Sequence, residues 1–143
     1  MINIFIDTDV ILDFLTDRRP FSTEATSIFT LIDQNKIKGY TSSLTYSNLY
    51  YVLRKYSTHK KVILKLEELS KFVDILKVDE QIIKSALSSD FKDFEDAIQC
   101  FSAQKEKKID VIITRNIKDY KESELPVMTP GTFIKTYEQT SGT

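Results

Sequence analysis

The decapeptide IFIDTDVILD, residues 4–13, decides the fold. Ile4, Phe5 and Ile6, with Ile2 before them, make an apolar run that stops at Asp7. A short apolar run ended by a polar residue reads as a buried β-strand. Val10, Ile11, Phe14 and Leu15 then recur at helical spacing, so a helix over residues 8–16 follows at once. In an α/β chain, the carboxyl end of a buried strand is where ligands bind. Asp7 places a carboxylate there, and Asp9 adds a second two positions on.

Working outward, the chain alternates. Beyond the Arg18-Arg19-Pro20 turn, Ser22 or Thr23 is expected to cap a helix carrying Ala25, Ile28, Phe29 and Ile32. Gly39 is read as preceding a short strand, Tyr40–Ser43. Helices are expected over 44–56 and 59–73, a strand at Ile75, Leu76 and Val78, and further helices starting at Asp79 and Asp93. Val111–Thr114 and Val127–Met128 read as short strands, followed by a final helix with Phe133, Ile134 and Tyr137. Residues 139–143 read as a flexible tail. Strands alternating with helices predict an α/β fold, a parallel sheet covered on both faces, in a single domain over residues 1–138.

Composition narrows the chemistry. The 143 residues carry 20 Lys and Arg against 21 Asp and Glu, which argues against a broad basic surface and leaves room for a local one. The single Cys100 excludes an internal disulfide, and the single His59 disfavours zinc or a His-based triad. Three glycines, in no glycine-rich motif, rule out a phosphate-cradling loop. No apolar run reaches transmembrane length, and no basic stretch precedes the N-terminal strand as in a signal peptide, so a cytoplasmic protein away from membranes is expected. Any reaction must rest on carboxylates.

More carboxylates are available. SDFKDFEDAIQCFSA, residues 89–103, sets Asp93 and Asp96 one helical turn apart, with the small residues Cys100 and Ala103 continuing that face. The strand ending at Thr114 runs into Arg115, Asn116 and then Asp119. In a parallel sheet these strand ends share an edge with Asp7, so the acids can converge. Crowded carboxylates repel, a divalent cation relieves that repulsion, and oxygen-only ligands suit Mg²⁺ or Mn²⁺. Phosphodiester hydrolysis is the natural reaction for such a site. Each acid also has a plainer role. Asp93 and Asp9 are good helix caps and Asp119 a good turn residue, whereas Asp7 directly follows a buried strand, where an unpaired charge is costly.

These motifs resemble the PIN-domain nucleases. FIDTDVILDFL (5–15) is similar to the family's opening strand and helix, DFEDAIQCFSA (93–103) to its central acidic helix, ITRNIKDY (113–120) to its last motif, and VMTPGTFI (127–134) to its closing strand and helix. The ordered set spans nearly the whole chain. The resemblance implies a three-layer α/β/α sandwich with a central parallel sheet of four to five strands. It implies an Mg²⁺- or Mn²⁺-dependent ribonuclease acting on RNA, of the kind that forms the toxin of VapBC-type toxin–antitoxin pairs, inhibited by an antitoxin and often a homodimer. By position, Asp7 becomes the first metal ligand and Asp96 the central one. Asp93 and Asp119 become supporting acids, with Thr114 and Asn116 as polar neighbours and Thr8 and Asp9 beside them.

Three positions depart from the family pattern. In SSLTYSNLYYVLRK (42–55), Asn48 occupies the place of a usual Glu. Asn116 stands where many members have Asp, and Asp9 replaces a commoner Asn. Asn48 lies on an apolar stripe between Leu44 and Val52, so an amide satisfied by backbone is an equal reading. Arg115 is a candidate phosphate contact, because a guanidinium grips two oxygens. Tyr46, Tyr50, Tyr51 and Tyr56 either stack on bases or simply pack, and Arg54, Lys55, His59, Lys60 and Lys61 form either a phosphate contact or a solvated helix end.

Two other functions stand beside the nuclease. A degenerate PIN domain would bind RNA or protein without cutting. Asp7-Thr8-Asp9 also resembles the Asp-x-Asp nucleophile motif of haloacid-dehalogenase-type phosphatases, although the chain is short for that fold and lacks its later pair of acids.

Overall fold

The computed structural model describes residues 1–141. Five strands, β1 (Ile2–Ile6), β2 (Ile37–Ser42), β3 (Val73–Leu76), β4 (Val111–Ile113) and β5 (Val127–Met128), form one parallel sheet in the order β3-β2-β1-β4-β5. Among the described residues seven helices connect and cover it: α1 (Thr8–Leu15), α2 (Ser22–Asp33), α3 (Ser43–Leu53), α4 (His59–Phe72), α5 (Glu80–Leu87), α6 (Phe94–Lys105) and α7 (Pro130–Ser141). A 3-10 turn, Ile117–Tyr120, replaces a helix between β4 and β5.

The two-residue period of a strand sorts its side chains between layers. Ile4, Ile6, Ile37, Val111 and Ile113 pack with residues of α1, α2, α3, α4 and α7. Phe5, Tyr40 and Ile112 face the other way, toward Cys100 and Ala103 of α6 and toward Tyr120. Helix α5 closes over α6 through Ile82, Ala86, Ala97 and Ile98. The result is the expected three-layer α/β/α sandwich. No helix among the described residues is long and apolar enough to cross a membrane.

Local chemistry sets the helix starts. Asp7, Ser42, Thr58, Asp79 and Asp93 each hold an extended backbone and accept from a backbone N–H in the first turn of the helix that follows. This is how N-caps satisfy orphan donors. Helix α2 departs from the expectation. No side chain caps it; Ser22 is its first residue, is buried, and donates its own N–H to the carbonyl of Arg18. Strand β2 begins at Ile37, so Gly39 lies within it rather than before it. A Cβ at Gly39 would come within 2.6 Å of Ile32 Cδ1 and 3.1 Å of Val73 Cγ1, so the missing side chain is what lets α2 seat on the sheet. Strand β3 runs over Val73–Leu76, which leaves Val78 outside it. Helix α7 continues to Ser141, so residues 139–141 are helical, not a loose tail; the remainder of that expected tail lies outside the described residues.

The chain order creates the crevice. From β1 the path goes out through β2 to β3, then returns to β4 on the other side of β1. The strand ends at such a reversal are where open α/β sheets bind ligands. Asp7 follows β1 there and Thr114 follows β4, tied together by the Asp7 N–H donating to the Ile113 carbonyl at 2.9 Å.

Candidate active site

Asp7 is 8% exposed and held from both sides. Its Oδ1 accepts from Thr8 N at 2.8 Å and its Oδ2 from Thr114 Oγ1 at 2.9 Å. Burial pushes its carboxyl above the ordinary Asp value; the Thr114 and Thr8 bonds and the nearby Tyr120 hydroxyl work against that rise, and the charge of Glu95 adds to it. Tyr120 is itself buried with its hydroxyl free of any hydrogen bond among the described residues.

One open cleft of about 350 Å³ gathers Asp7, Thr8, Asp9, Asn48, Glu95, Asp96 and Asn116. Asp96, in the first turn of α6, is pushed up to about 7, first by loss of solvent and then by the charges of Asp7, Asp93, Asp119 and Glu95. Asp9 is likewise pushed up to about 7 by loss of solvent and by Asp7, with Arg115 opposing. Asn116 Nδ2 donates to Asp9 Oδ2 at 3.0 Å, while Asp9 Oδ1 is buried without a partner among the described residues. The neutral amide at position 116 therefore donates to Asp9 where a carboxylate would add a further negative charge beside it. That explains two departures from the family pattern by one contact.

Among the described residues the Asn48 side chain makes no hydrogen bond to backbone. Its Nδ2 donates to Glu95 Oε1 at 2.6 Å, so the amide draws a carboxylate from α6 toward its own place in the cleft. Glu95 did not emerge from the sequence, because it neighbours Asp96 and falls off the helix face that Asp93 and Asp96 define. Its carboxyl is raised, mainly by loss of solvent and then by Asp93, with the Asn48 bond opposing.

Three assigned residues stand elsewhere. Asp93 accepts through Oδ1 from the N–H of Asp96 at 2.9 Å and so caps α6. Asp93 and Asp119 line a neighbouring cleft, reached across Asp96. Arg115, read as a phosphate contact, has its guanidinium committed. Nε and one terminal nitrogen donate to the two oxygens of Asp13 at 2.7 and 3.3 Å, and the group lies 4.0 Å from the ring centre of Phe21. Asp13, 1% exposed, was not anticipated as its partner, since 102 residues separate the two.

Beneath the acids lies a buried polar floor. Gln99 of α6 donates through Nε2 to Thr45 Oγ1 at 2.6 Å and to Thr8 Oγ1 at 3.3 Å, and accepts through Oε1 from Ser42 Oγ. Thr41 Oγ1 joins at 2.9 Å to Thr45 and 3.0 Å to the Ile6 carbonyl. This network bolts α6 and α3 to the ends of β1 and β2, and so fixes Asp96 relative to Asp7. Gln99→Leu keeps the volume and strands buried hydroxyls, each costing about 1–3 kcal/mol. We expect a loss of about 2–3 kcal/mol in urea denaturation; a change below ~0.5 kcal/mol would show that the floor carries no such load.

The sequence profile of the PIN domain matches residues 3–118. The chain belongs to the PIN-domain family. This PIN domain is 27% identical over 137 residues to Ribonuclease VapC1 of Aquifex aeolicus (strain VF5), covering 92% of this chain and 93% of that protein. Among solved structures, it superposes on the DNA-bound VapBC of Salmonella typhimurium with a TM-score of 0.68 at 14% identity, covering 91% of this chain and 99% of that one. A toxin–antitoxin complex from Klebsiella pneumoniae gives a TM-score of 0.65 at 23% identity, covering 89% and 97%. The PIN fold, with Asp7 at its strand reversal, sets aside the Asp-x-Asp phosphatase.

Proposed function

We propose that this PIN domain is a metal-dependent endoribonuclease that hydrolyses RNA phosphodiester bonds, and that it is the toxin of a toxin–antitoxin pair. The observation that carries the reading is the meeting of Asp7 and Asp96 in one cleft, with Asp96 pushed up to about 7 and Asp7 raised by burial. The ribonuclease name of the relative and the toxin–antitoxin complexes among the fold neighbours support it. A cognate antitoxin and a homodimer are part of the same proposal, as is a cytoplasmic setting.

The residues fit a hard divalent cation, Mg²⁺ or Mn²⁺. All candidate ligand atoms are oxygens, Asp9 Oδ1 is an orphaned buried acceptor, and Asp9 and Asp96 are raised first by loss of solvent and then by neighbouring carboxylate charge, which a cation would offset. Mg²⁺ keeps several waters and is commonly held by one or two carboxylates. Asp7 and Asp96 would hold it, with Asp9 alongside. When bound, the cation supplies an acidified water and positive charge against the phosphodiester. The chain's own groups do the rest. Thr8 N and Thr114 Oγ1 fix the Asp7 carboxylate, Asn116 fixes Asp9, and Asn48 holds Glu95 at the cleft wall as a proton acceptor.

The test is cleavage of an unstructured RNA by purified protein with Mg²⁺ or Mn²⁺. Activity that vanishes with chelator and in Asp96→Asn supports the reading. Equal cleavage with and without cation sinks it. The second reading, a binding module without cleavage, is favoured by Asn48 and Asn116 standing where the resemblance to the family pattern calls for acids. Glu95 answers it by supplying a carboxylate at Asn48. Glu95→Gln preserves the Asn48 bond and removes the charge, so kcat is expected to fall by about tenfold or more. Unchanged kcat in this variant would leave Glu95 without a role in turnover.

A pH dependence follows. Loss of solvent and neighbouring carboxylates push Asp9 and Asp96 up to about 7 from an ordinary value of 3.8, so the folded chain holds protons over a range where the unfolded chain has released them. The stability they lend is fully present below about pH 4 and is lost as pH rises toward 7. Cation-free protein should therefore lose melting temperature between pH 5 and 8, and Asp96→Asn should lose less. Mn²⁺ should raise the melting temperature more at pH 8 than at pH 5. An Mn²⁺ effect independent of pH would contradict the assignment.

A further inference from the structure

Between Asp33 and Glu67 the chain carries seven Lys and Arg and no Asp or Glu, although the whole chain holds 20 such cations against 21 acids. Arg54, Lys55, Lys60, Lys61 and Lys65 fall around the turn from α3 to α4 and along the first half of α4, and all are exposed. None of them forms an ion pair among the described residues. Two have other contacts. Lys55 Nζ lies 4.7 Å from the centre of the Tyr51 ring, and Lys65 Nζ donates to the Leu15 carbonyl at 3.3 Å. That leaves Arg54, Lys60 and Lys61. Arg54 Nη1 donates to the Ser57 carbonyl at 2.9 Å, which holds its guanidinium over the turn into α4. Lys60 and Lys61 stand in the first turn of α4, and the next acids along that helix, Glu67 and Glu68, lie in its second half.

This clustering works against the fold around it. Positive charge in the first turn of a helix opposes its dipole, and Lys61 and Lys65, one turn apart, repel each other. The corner is nonetheless held in place. Tyr50 Oη of α3 and His59 Nδ1 of α4 share a hydrogen bond of 2.8 Å, and their rings meet edge to face with centres 5.7 Å apart. Positioned, exposed cations that do not serve the fold suit a polyanion. A protein partner suits them less, because Lys is depleted at protein interfaces, whereas nucleic-acid interfaces are polar and strongly positive. The corner also continues the acid cleft. Asn48, Tyr51 and Val52 of α3 line that cleft, and Arg54 follows two residues later. From Asn48 to Arg54 is about 9 Å along the helix axis. RNA leaving the cleft along α3 therefore meets Arg54 first and then the start of α4.

We propose that the α3–α4 corner is a second RNA contact outside the acid cleft, at which Arg54, Lys60 and Lys61 bind backbone phosphates of a segment that is held and not cut. The proposal rests on the ribonuclease reading and adds a binding site to it. Phosphate contacts position a nucleic acid and carry no sequence information, so the corner anchors RNA while the cleft does the chemistry.

The probe is a long unstructured RNA oligonucleotide bound to Asp7→Asn protein, so that it stays intact, over a series of salt concentrations. Arg54→Gln, Lys60→Gln and Lys61→Gln together should lower the slope of log affinity against log salt by about 2, which is ~0.7 for each phosphate no longer neutralised. Binding at low salt should weaken about tenfold or more. Removing charge from the first turn of α4 should leave the melting temperature at or above that of the parent, so a lost slope reports binding. Lys36→Gln, Lys71→Gln and Lys107→Gln together remove the same charge from segments that precede β2, β3 and β4, at the opposite edge of the sheet. That variant should change the slope by less than ~0.7. Equal changes in the two triple variants, or an unchanged slope in the corner variant, overturn the proposal. Polyglutamate should displace the RNA about tenfold less well than polyuridylate of the same length. Equal displacement would make the corner a site for acidic protein and overturns the proposal as well. In the active protein, the corner variant should raise KM about tenfold for the long RNA and less than about twofold for a trinucleotide that fills the cleft alone. A wild-type protein that cuts no RNA defeats the ribonuclease reading, and the salt slopes still decide the corner. Cleavage by the wild type with slopes that the corner variant leaves untouched defeats the corner alone.

Discussion

Asp7→Asn is expected to abolish RNA cleavage and, at pH 8 without added cation, to give a protein that melts higher than the wild type. The two effects have one cause. Asp7 is 8% exposed, and burial raises its carboxyl, so its charge opposes folding, and the proposed cation would balance it. Asparagine keeps the capping oxygen for Thr8 N, turns its amide toward Thr114 Oγ1, and removes the charge. The loss in rate should reach at least about 10²- to 10³-fold, since a cation's stabilisation of the transition state is worth several kcal/mol and each 1.36 kcal/mol is tenfold. A variant that melts lower and still cuts would contradict both halves. A gain in stability with a loss of function is the behaviour of a site that holds its strain for chemistry.

Arg115→Ala is expected to cost about 2–4 kcal/mol, the largest stability loss of any single surface-reaching cation in the chain. It leaves Asp13 buried at 1% exposure with only Arg18 near, its Nε 3.8 Å away. Breaking a buried pair on one side strands the remaining charge, at about 3–5 kcal/mol, and Arg18 offsets part of it. Arg115→Met together with Asp13→Leu should recover most of the loss, because no charge is then left inside. Cleavage should fall in the single variant too, since the segment carrying Thr114 and Asn116 loses its tether to α1. A phosphate contact would behave differently: KM would rise and urea denaturation would be unchanged. Chemical denaturation and steady-state kinetics on the same preparation separate the two.

What the sequence disclosed and what it withheld follow from range. The strand Ile2–Ile6 and its terminal Asp7 were legible because period and polarity change within ten residues. The caps at Asp79 and Asp93 were legible for the same local reason. Gly39 misled, since its presence inside β2 is explained by Ile32 and Val73, which reach it from other elements. The start of α2 misled because backbone, not Ser22 or Thr23, supplies its first bond. In the site, Asp7 and Asp96 stood out as acids at strand and helix ends. Glu95, Gln99 and the Asp13–Arg115 pair did not, because each owes its role to a partner between 47 and 102 residues away. Gln99 did leave a trace, a lone amide between the buried Ile98 and Cys100, and that pattern marks a satisfied polar contact.

The most direct test of the central claim, that Asp7 and Asp96 share one divalent cation, is calorimetric titration of Mn²⁺ into the wild type, Asp7→Asn and Asp96→Asn at pH 8. One Mn²⁺ per chain is expected for the wild type, with affinity reduced about tenfold or more in each variant. Wild-type affinity in either variant would remove that carboxylate from the site and contradict the account.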